Sequence, residues 1–341
     1  MTLLTIDPYF ISGQTAYSAG VVTDALANSS LTYNSALGIL QFSSSQNFRS
    51  FQGIQSGYVS GGRAGTYGTQ VNTIDKFSFT ADGNASDVGD LLATGRASGH
   101  SSTVSGYASA ISSSNTINKF PFSASGNATD VGDLTQVRAE TATQTSSTSG
   151  YSTGGGSTIN TIDKFPFASD SNATDVGDLT QSRGSPGGHS STTHGYTSGG
   201  ESFLPGFGPI NINTIDKFPF ASDSNASDVG DLARIVRGFA AHSSSSYGYG
   251  AGGATTNVIE RFPFAVDGNS STGGLGTLTQ GRDRPMGVSS TISGYSCGGD
   301  FPPDGTTRNI IDKFSFDTGS SATDVGDLTV SRGNSSVGQQ I

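Results

Sequence analysis

Six times along this chain a Gly-Tyr pair opens nearly the same string of residues, at Gly57-Tyr58, Gly106-Tyr107, Gly150-Tyr151, Gly195-Tyr196, Gly248-Tyr249 and Gly294-Tyr295. The fourth copy runs from Gly195 through Gly199-Gly200, then Thr214-Ile215-Asp216-Lys217-Phe218-Pro219-Phe220, then Asp228-Val229-Gly230-Asp231-Leu232, to His242. Copies start 44 to 53 residues apart. A period in the forties marks one supersecondary unit stacked in series, so copy number sets the architecture before any single residue does.

Each copy divides into four short strands. A Ser/Thr-rich run such as Ser190-Ser191-Thr192-Thr193 precedes the Gly-Tyr, and the glycine is read as supplying the positive φ of a tight hairpin turn. Tyr-x-x-Gly-Gly follows, replaced in the second copy by a version carrying Ala110-Ile111. The third strand, Thr161-Ile162-Asp163-Lys164-Phe165 in the third copy, is β-branched and aromatic, and Pro166 marks where ladder pairing loosens. The fourth centres on Asp175-Val176-Gly177-Asp178-Leu179. Four strands per unit and six units predict an all-β fold: a six-bladed propeller with four-stranded blades over 51–341, closed so that no long edge is exposed. Residues 1–50 stand outside the repeat as a short N-terminal extension, an attachment or assembly segment. Either Phe51–Gln55 or the tail from Ser335 to Ile341 completes the first blade, and the sequence does not choose.

With 49 glycines and only 13% charged residues the composition alone would suit a disordered chain, but every copy has its own apolar residues to bury. A formal charge of −10 argues against nucleic acid as a partner, because phosphate binding needs a basic patch. No run approaches the roughly 18 apolar residues of a membrane-spanning helix, and Met1–Pro8 lacks the basic start and apolar stretch of a signal peptide. Cys297 is the single cysteine, which excludes disulfides within the chain; it stands where the fourth copy has Ser198 and is expected to be a small buried substitute.

The order Gly-Gly, Ile-Asp-Lys-Phe, Asp-Val-Gly-Asp-Leu, a single Arg, and the next Gly-Tyr resembles the kelch repeat. The resemblance implies an arginine before each next inner strand, here Arg96, Arg138, Arg183, Arg237, Arg282 and Arg332. The tryptophan usual on the fourth strand is absent, and valine in its region implies a thinner contact between blades. The wording Asn160-Thr161-Ile162-Asp163-Lys164-Phe165-Pro166-Phe167, followed by Asn172-Ala173-Thr174-Asp175-Val176-Gly177-Asp178-Leu179, looks like repeat proteins of marine bacteriophages, especially those of cyanobacteria. Leu31-Thr32-Tyr33-Asn34 with Gly38-Ile39-Leu40 resembles short modules of phage fibre proteins. Together these imply a virion protein of the tail fibre or adhesin kind, with other virion proteins and a host-surface glycan or protein as partners.

Catalytic candidates are few. Adjacent Asp-Lys on the third strand (Asp163-Lys164 and its equivalents) point to opposite faces, so they are charge placement and not a dyad. The recurring arginines are read as bonding carbonyls or a neighbouring Asp. The acidic loop Asp82–Asp90 clusters hard oxygen donors, but it lacks the spacing of a calcium loop; turn capping is the main reading and weak calcium binding the minor one. His100, His189 and His242 fall at equivalent places in different copies, which speaks against a shared metal unless they face the central channel. No cofactor, no metal and no catalytic residue are expected.

Copies differ most in the loop after the double glycine. The first carries Tyr67, the fourth inserts Phe203-Leu204-Pro205-Gly206-Phe207, and the sixth inserts Phe301 and Asp304. Aromatic residues on loops of a rigid scaffold suit recognition; packing over the ring as plugs, or self-association into a homo-oligomer, is the alternative. The expectation is a non-enzymatic phage protein binding a host-surface molecule through one propeller face. Its rivals are an architectural virion subunit and, further off, a propeller enzyme acting on surface glycans.

Overall fold

The computed structural model describes residues 29–34, 39–44, 51–64, 68–156, 158–301, 304, 306–333 and 338–340. It divides into two compact units, Met1–Phe48 and Arg49–Ile341. In the first, Ser29–Asn34 pairs antiparallel with Ile39–Ser44, in register from Ser29↔Ser44 to Asn34↔Ile39.

The second unit is a six-bladed β-propeller, with no helix among the described residues. Blade 3 shows the plan: Ala142–Thr145 innermost, then Ser149–Thr153, Thr161–Pro166 and Thr174–Asp178 at the rim, all antiparallel. The innermost strands Ser98–Ser101, Ala142–Thr145, Gly187–Ser190, Ala240–Ser243, Met286–Ser289 and Gln339–Gln340 neighbour one another in a closed ring. The last belongs to blade 1, pairing Gln339 with Tyr58 and Gln340 with Gly57. The tail therefore closes the ring. Phe51–Gly53 lies instead against blade 6, where Gly53 N–H donates to the Ser289 carbonyl at 2.9 Å and Thr291 N–H to the Gly53 carbonyl at 3.1 Å.

Blade 5 departs from the plan. Its outer strand is reduced to bridges pairing Val258 with Thr277 and Arg261 with Ser271, because Ser271-Thr272-Gly273-Gly274 replaces the residues that pair elsewhere.

The Gly-Tyr glycines have a different role from the one the sequence suggests. They are absent from the residues with positive φ, and the turn is made just before them. There the Ser102 hydroxyl accepts the Ser105 N–H at 2.9 Å, and Ser146, Ser191, Ser244 and Ser290 act alike. The glycine is required because the third-strand phenylalanine lies across it: a Cβ on Gly106 would meet Phe120 at 2.3 Å, and one on Gly150 would meet Phe165 at 2.4 Å. Positive φ belongs to the double glycines instead, as at Gly154 (65°) and Gly155 (108°).

The core lies between blades, in six clusters that each draw on two neighbouring blades. At every junction the tyrosine of one blade packs on the second phenylalanine of the next blade's Phe-x-Phe. Ring centroids are 4.7–4.9 Å apart in Tyr58–Phe122, Tyr107–Phe167, Tyr151–Phe220, Tyr196–Phe264, Tyr249–Phe316 and Tyr295–Phe79. Each such pair adds about 0.5–1.5 kcal/mol beyond the area it buries. The thinner contact expected from the missing tryptophan is thus corrected: aromatic rings do fill the junctions, supplied by other strands. At the rim the glycine of Asp-Val-Gly-Asp lets backbones touch, since a Cβ on Gly177 would lie 2.5 Å from the Ser224 carbonyl oxygen of the next blade.

Candidate functional site

Charge is buried between blades in a repeated arrangement. The third-strand aspartate receives an arginine, a threonine hydroxyl and a threonine N–H from the preceding blade. In blade 4, Asp216 accepts Arg183 Nη2 at 2.9 Å, Thr180 Oγ1 at 2.7 Å and Thr180 N–H at 2.9 Å. The same set joins Arg138 and Thr135 to Asp163, Arg282 and Thr279 to Asp312, and Arg332 and Thr329 to Asp75. These four ion pairs are fully buried. Each guanidinium also donates to carbonyls near the double glycine, as Arg138 does to Gly154 at 3.0 Å and to Thr161 at 3.1 Å. Burial lowers the pKa of all four arginines, and the facing aspartates pull it back.

Arg96 and Arg237 do not share this place. Arg138 follows Asp133 by five residues, whereas Arg96 follows Asp90 and Arg237 follows Asp231 by six. The carbonyls that accept the second glycine's N–H in these two junctions belong to Gly95 and Val236, where Arg183, Arg282 and Arg332 act elsewhere. The one-residue offset turns both arginines outward, Arg96 to Glu140 and Arg237 to Glu201 at 2.8 Å. The partner acid changes with them. Blade 2 has neutral Asn118, whose Oδ1 accepts the Leu92 N–H at 2.9 Å. Blade 5 has the longer Glu260, which reaches Arg234.

The other candidates from sequence resolve into capping and packing. Lys119, Lys164, Lys217 and Lys313 reach Asp170, Asp223, Asp267 and Asp82 on the next blade at 2.8–2.9 Å. In the acidic loops, Asp87 Oδ1 accepts the Gly89 N–H at 3.0 Å, and Asn127 Oδ1 accepts the Asp90 N–H of the preceding blade at 3.0 Å. No group of three or more metal-ligating side chains forms among the described residues. Cys297 is fully buried, and burial raises its pKa.

The rings of His100, His189 and His242 pack between blades, although His242 also lines the small axial cavity. His189 Nδ1–H donates to the His242 carbonyl at 3.0 Å, which leaves Nε2 to accept the Ser198 hydroxyl at 2.8 Å. His242 repeats this toward Val288 and Ser296. Each of the three rings stands edge-on to a phenylalanine of the neighbouring blade. Gln144 and Gln339 fill the same place in blades 3 and 1. Burial lowers the histidine pKa values to about 3, about 4 and about 3 for His100, His189 and His242. At the axis, Phe51, Thr145, Ser190, Ser243 and Gln340 help to enclose a cavity of ≈ 20 Å³, room for about one water.

The loop face is the remaining surface. The links between blades and the loops after the double glycines share one end of the ring, joined by the bridges Arg63↔Gly333, Gly184↔Glu201 and Asp283↔Asp300. Around the axis there, Ser185 N–H donates to Glu140, Gly238 N–H to Ser185 and Arg284 N–H to Gly238, at 2.7–3.0 Å. The blade 4 insertion is a β-hairpin, Glu201–Leu204 paired with Gly208–Asn211. It carries Phe203 (49% exposed), Leu204 (43%) and Phe207 (83%). In blade 6, Phe301 lies under the Arg308 guanidinium at 4.3 Å, and Asp304 is occupied by its own loop. The Thr306 hydroxyl and the Arg308 guanidinium hold the Asp304 carboxyl at about 2. Tyr67 lies outside the described residues.

A cavity of ≈ 230 Å³ opens on the same face, lined by Arg63, Gln70, Arg96, Ser112, Ser113, Ala139 and Glu140. None of these except Arg96 stands out in the sequence as a site residue. The available signals are the offset of Arg96 and the replacement of the double glycine by Ala110-Ile111 just ahead of Ser112. Burial, with the positive charges of Arg284 and Arg63, lowers the Arg96 guanidinium to about 10.

Compared with known proteins, the chain matches no protein-family model, and no curated protein is significantly similar to it.

Proposed function

We propose that this chain is a non-enzymatic, kelch-like recognition propeller of a phage particle, of the tail fibre or adhesin kind, which binds a host-surface molecule through its loop face. The observation that carries the reading is the hairpin Glu201–Asn211. Its base is held by the Glu201–Arg237 ion pair and by Gly184, while Phe203, Leu204 and Phe207 are exposed at its end. Apolar and aromatic side chains held out on a rigid element lose little freedom on binding, which is how recognition surfaces gain affinity. The phage assignment is supported by the wording of the repeat, and the kelch-like one by the double glycines and the interblade arginines.

The test is binding of the full chain to cyanobacterial host cells, with Phe203→Ala/Phe207→Ala as the variant. Binding at least tenfold weaker, with an unchanged unfolding midpoint, supports recognition. Binding equal to the unsubstituted chain removes it.

A second reading, an architectural virion subunit, is favoured by Ile54, Val104 and Ile292, exposed at 44–65% on blades 1, 2 and 6 at the opposite end of the ring. Absence of host binding together with stable assembly onto other virion proteins selects it.

A further inference from the structure

We propose that the cavity on the loop face beside blades 1 and 2 binds an acidic sugar unit of a glycan, with Arg63 and Arg96 holding its carboxylate and Glu140, Gln70 and Ser112 its hydroxyls. This deepens the recognition reading above and rests on it.

Several departures from the repeat converge on this cavity. The offset that puts Gly95 between the blades sends Arg96 outward to it. The double glycine is replaced by Ala110-Ile111, and Ile111 is buried beside Leu91 and Ala97 in the apolar cluster between blades 1 and 2. Ser112 and Ser113 follow with φ of 50° and 61°, while Glu140 on the next link has φ of 58°, a conformation that the repeat also gives Ser185, Gly238 and Arg284. Non-glycine residues held at positive φ are costly, and such strain gathers at binding sites. Three of these residues line one cavity.

The chemistry favours a carboxylate with hydroxyls around it. Glu140 accepts from Arg96 and from the Ser185 hydroxyl at 2.5 Å. A guanidinium has five N–H donors in a planar fork, so that pairing leaves Arg96 donors for a second anion. Arg63 adds a second guanidinium, and its Nε is buried with no hydrogen-bond partner among the described residues. The lining holds two guanidiniums and one carboxylate, and nearby Arg284 with Asp283 and Asp300 brings the neighbourhood to charge balance. A single carboxylate is therefore held by the planar donors of the guanidiniums at short range, while a densely charged polyanion meets repulsion from a chain whose formal charge is −10. Gln70 and Ser112, 2.8 Å apart at Oε1 and Oγ, supply the neutral donors and acceptors that sugar hydroxyls need. The volume, ≈ 230 Å³, lies just below the roughly 300 Å³ where drug-sized ligand sites begin, which fits one sugar ring.

The experiment titrates the full chain with glucuronate, galacturonate and N-acetylneuraminate, with glucose and acetate as controls, followed by calorimetry or NMR. Saturable binding of at least one acidic sugar, weakened at least tenfold in Arg63→Gln and in Arg96→Gln at unchanged unfolding midpoint, is the expected result. Should Arg96→Gln unfold, the partly exposed Arg63→Gln carries the comparison alone. The proposal is overturned if no acidic sugar binds, if glucose or acetate binds as well, or if Arg63→Gln leaves affinity intact. Host binding that survives Arg63→Gln but is lost in Phe203→Ala/Phe207→Ala would sink this site and leave the recognition reading standing.

Discussion

Four of the six blade junctions are alike and two are not, and the two exceptions show what the repeat tolerates. Between blades 2 and 3, 3 and 4, 5 and 6, and 6 and 1, a buried arginine meets a buried aspartate and a threonine hydroxyl. Between blades 1 and 2 both charges are gone together, with Gly95 and Asn118 in their places and Leu92 replacing the threonine. Between blades 4 and 5 the acid remains as Glu260, Val236 takes the arginine's place, and Arg234 supplies the charge from two residues earlier. A buried charge without a partner costs far more than an apolar replacement for the pair. The two exceptions therefore change acid and base together. They also free arginines for the loop face: Arg96 enters the cavity and Arg237 anchors the hairpin.

Acid should produce the largest effect, acting on the histidines of the inner layer, which regular and exceptional junctions share. His100, His189 and His242 have pKa values lowered by burial to about 3 or 4, from an ordinary 6.5. Below pH 6.5 the unfolded chain takes up protons that the folded chain refuses. Their contribution is thus complete above pH 6.5 and is lost as pH falls toward 4 for His189 and toward 3 for His100 and His242, by up to about 1.4 kcal/mol per pH unit for each histidine. His100→Gln/His189→Gln/His242→Gln, which copies Gln144 and Gln339, should fold and flatten that slope in urea unfolding. An unchanged slope would place the acid sensitivity elsewhere.

Breaking a regular junction comes next. Asp216→Ala leaves Arg183 buried and unpaired, and should cost about 3–5 kcal/mol in urea unfolding. Asn118→Ala, at the neutral exceptional junction, removes an acceptor for one N–H and should cost about 1–3 kcal/mol. Equal costs would show that the charged pair carries no special role.

Close approach at the rim is tested by Gly177→Ala, which places a Cβ 2.5 Å from the Ser224 carbonyl oxygen. Overpacking together with the strain of a side chain at φ 150° should cost about 1–3 kcal/mol or more; Gly83→Ala, with nothing within 4 Å and no positive φ, should be near neutral. The smallest effect is expected on the loop face. Phe207→Ala should change stability by less than about 0.5 kcal/mol while it weakens host binding. A large loss of stability there would make the hairpin a structural plug.

Blade count, strand order and the all-β class were readable because each copy repeats the same apolar and turn residues, and a period needs no knowledge of neighbours. The loops of blades 4 and 6 were readable too, as insertions against that period. What the tertiary structure alone decided are contacts between successive copies. The Gly-Tyr glycines look like turn glycines until Phe120 or Phe165 is seen lying across them. The one-residue offset of Arg96 and Arg237 is present in the sequence, but only the fold shows that it turns them away from the buried place that Arg183 takes. Ring closure by Gln339–Gln340, with Phe51–Gly53 against blade 6, was likewise undecided by sequence, since both ends offer short strand-like segments. Periodicity is a property of each unit by itself, whereas steric fit and charge pairing depend on which atoms of the next unit arrive within a few ångströms, and only the folded ring brings those together.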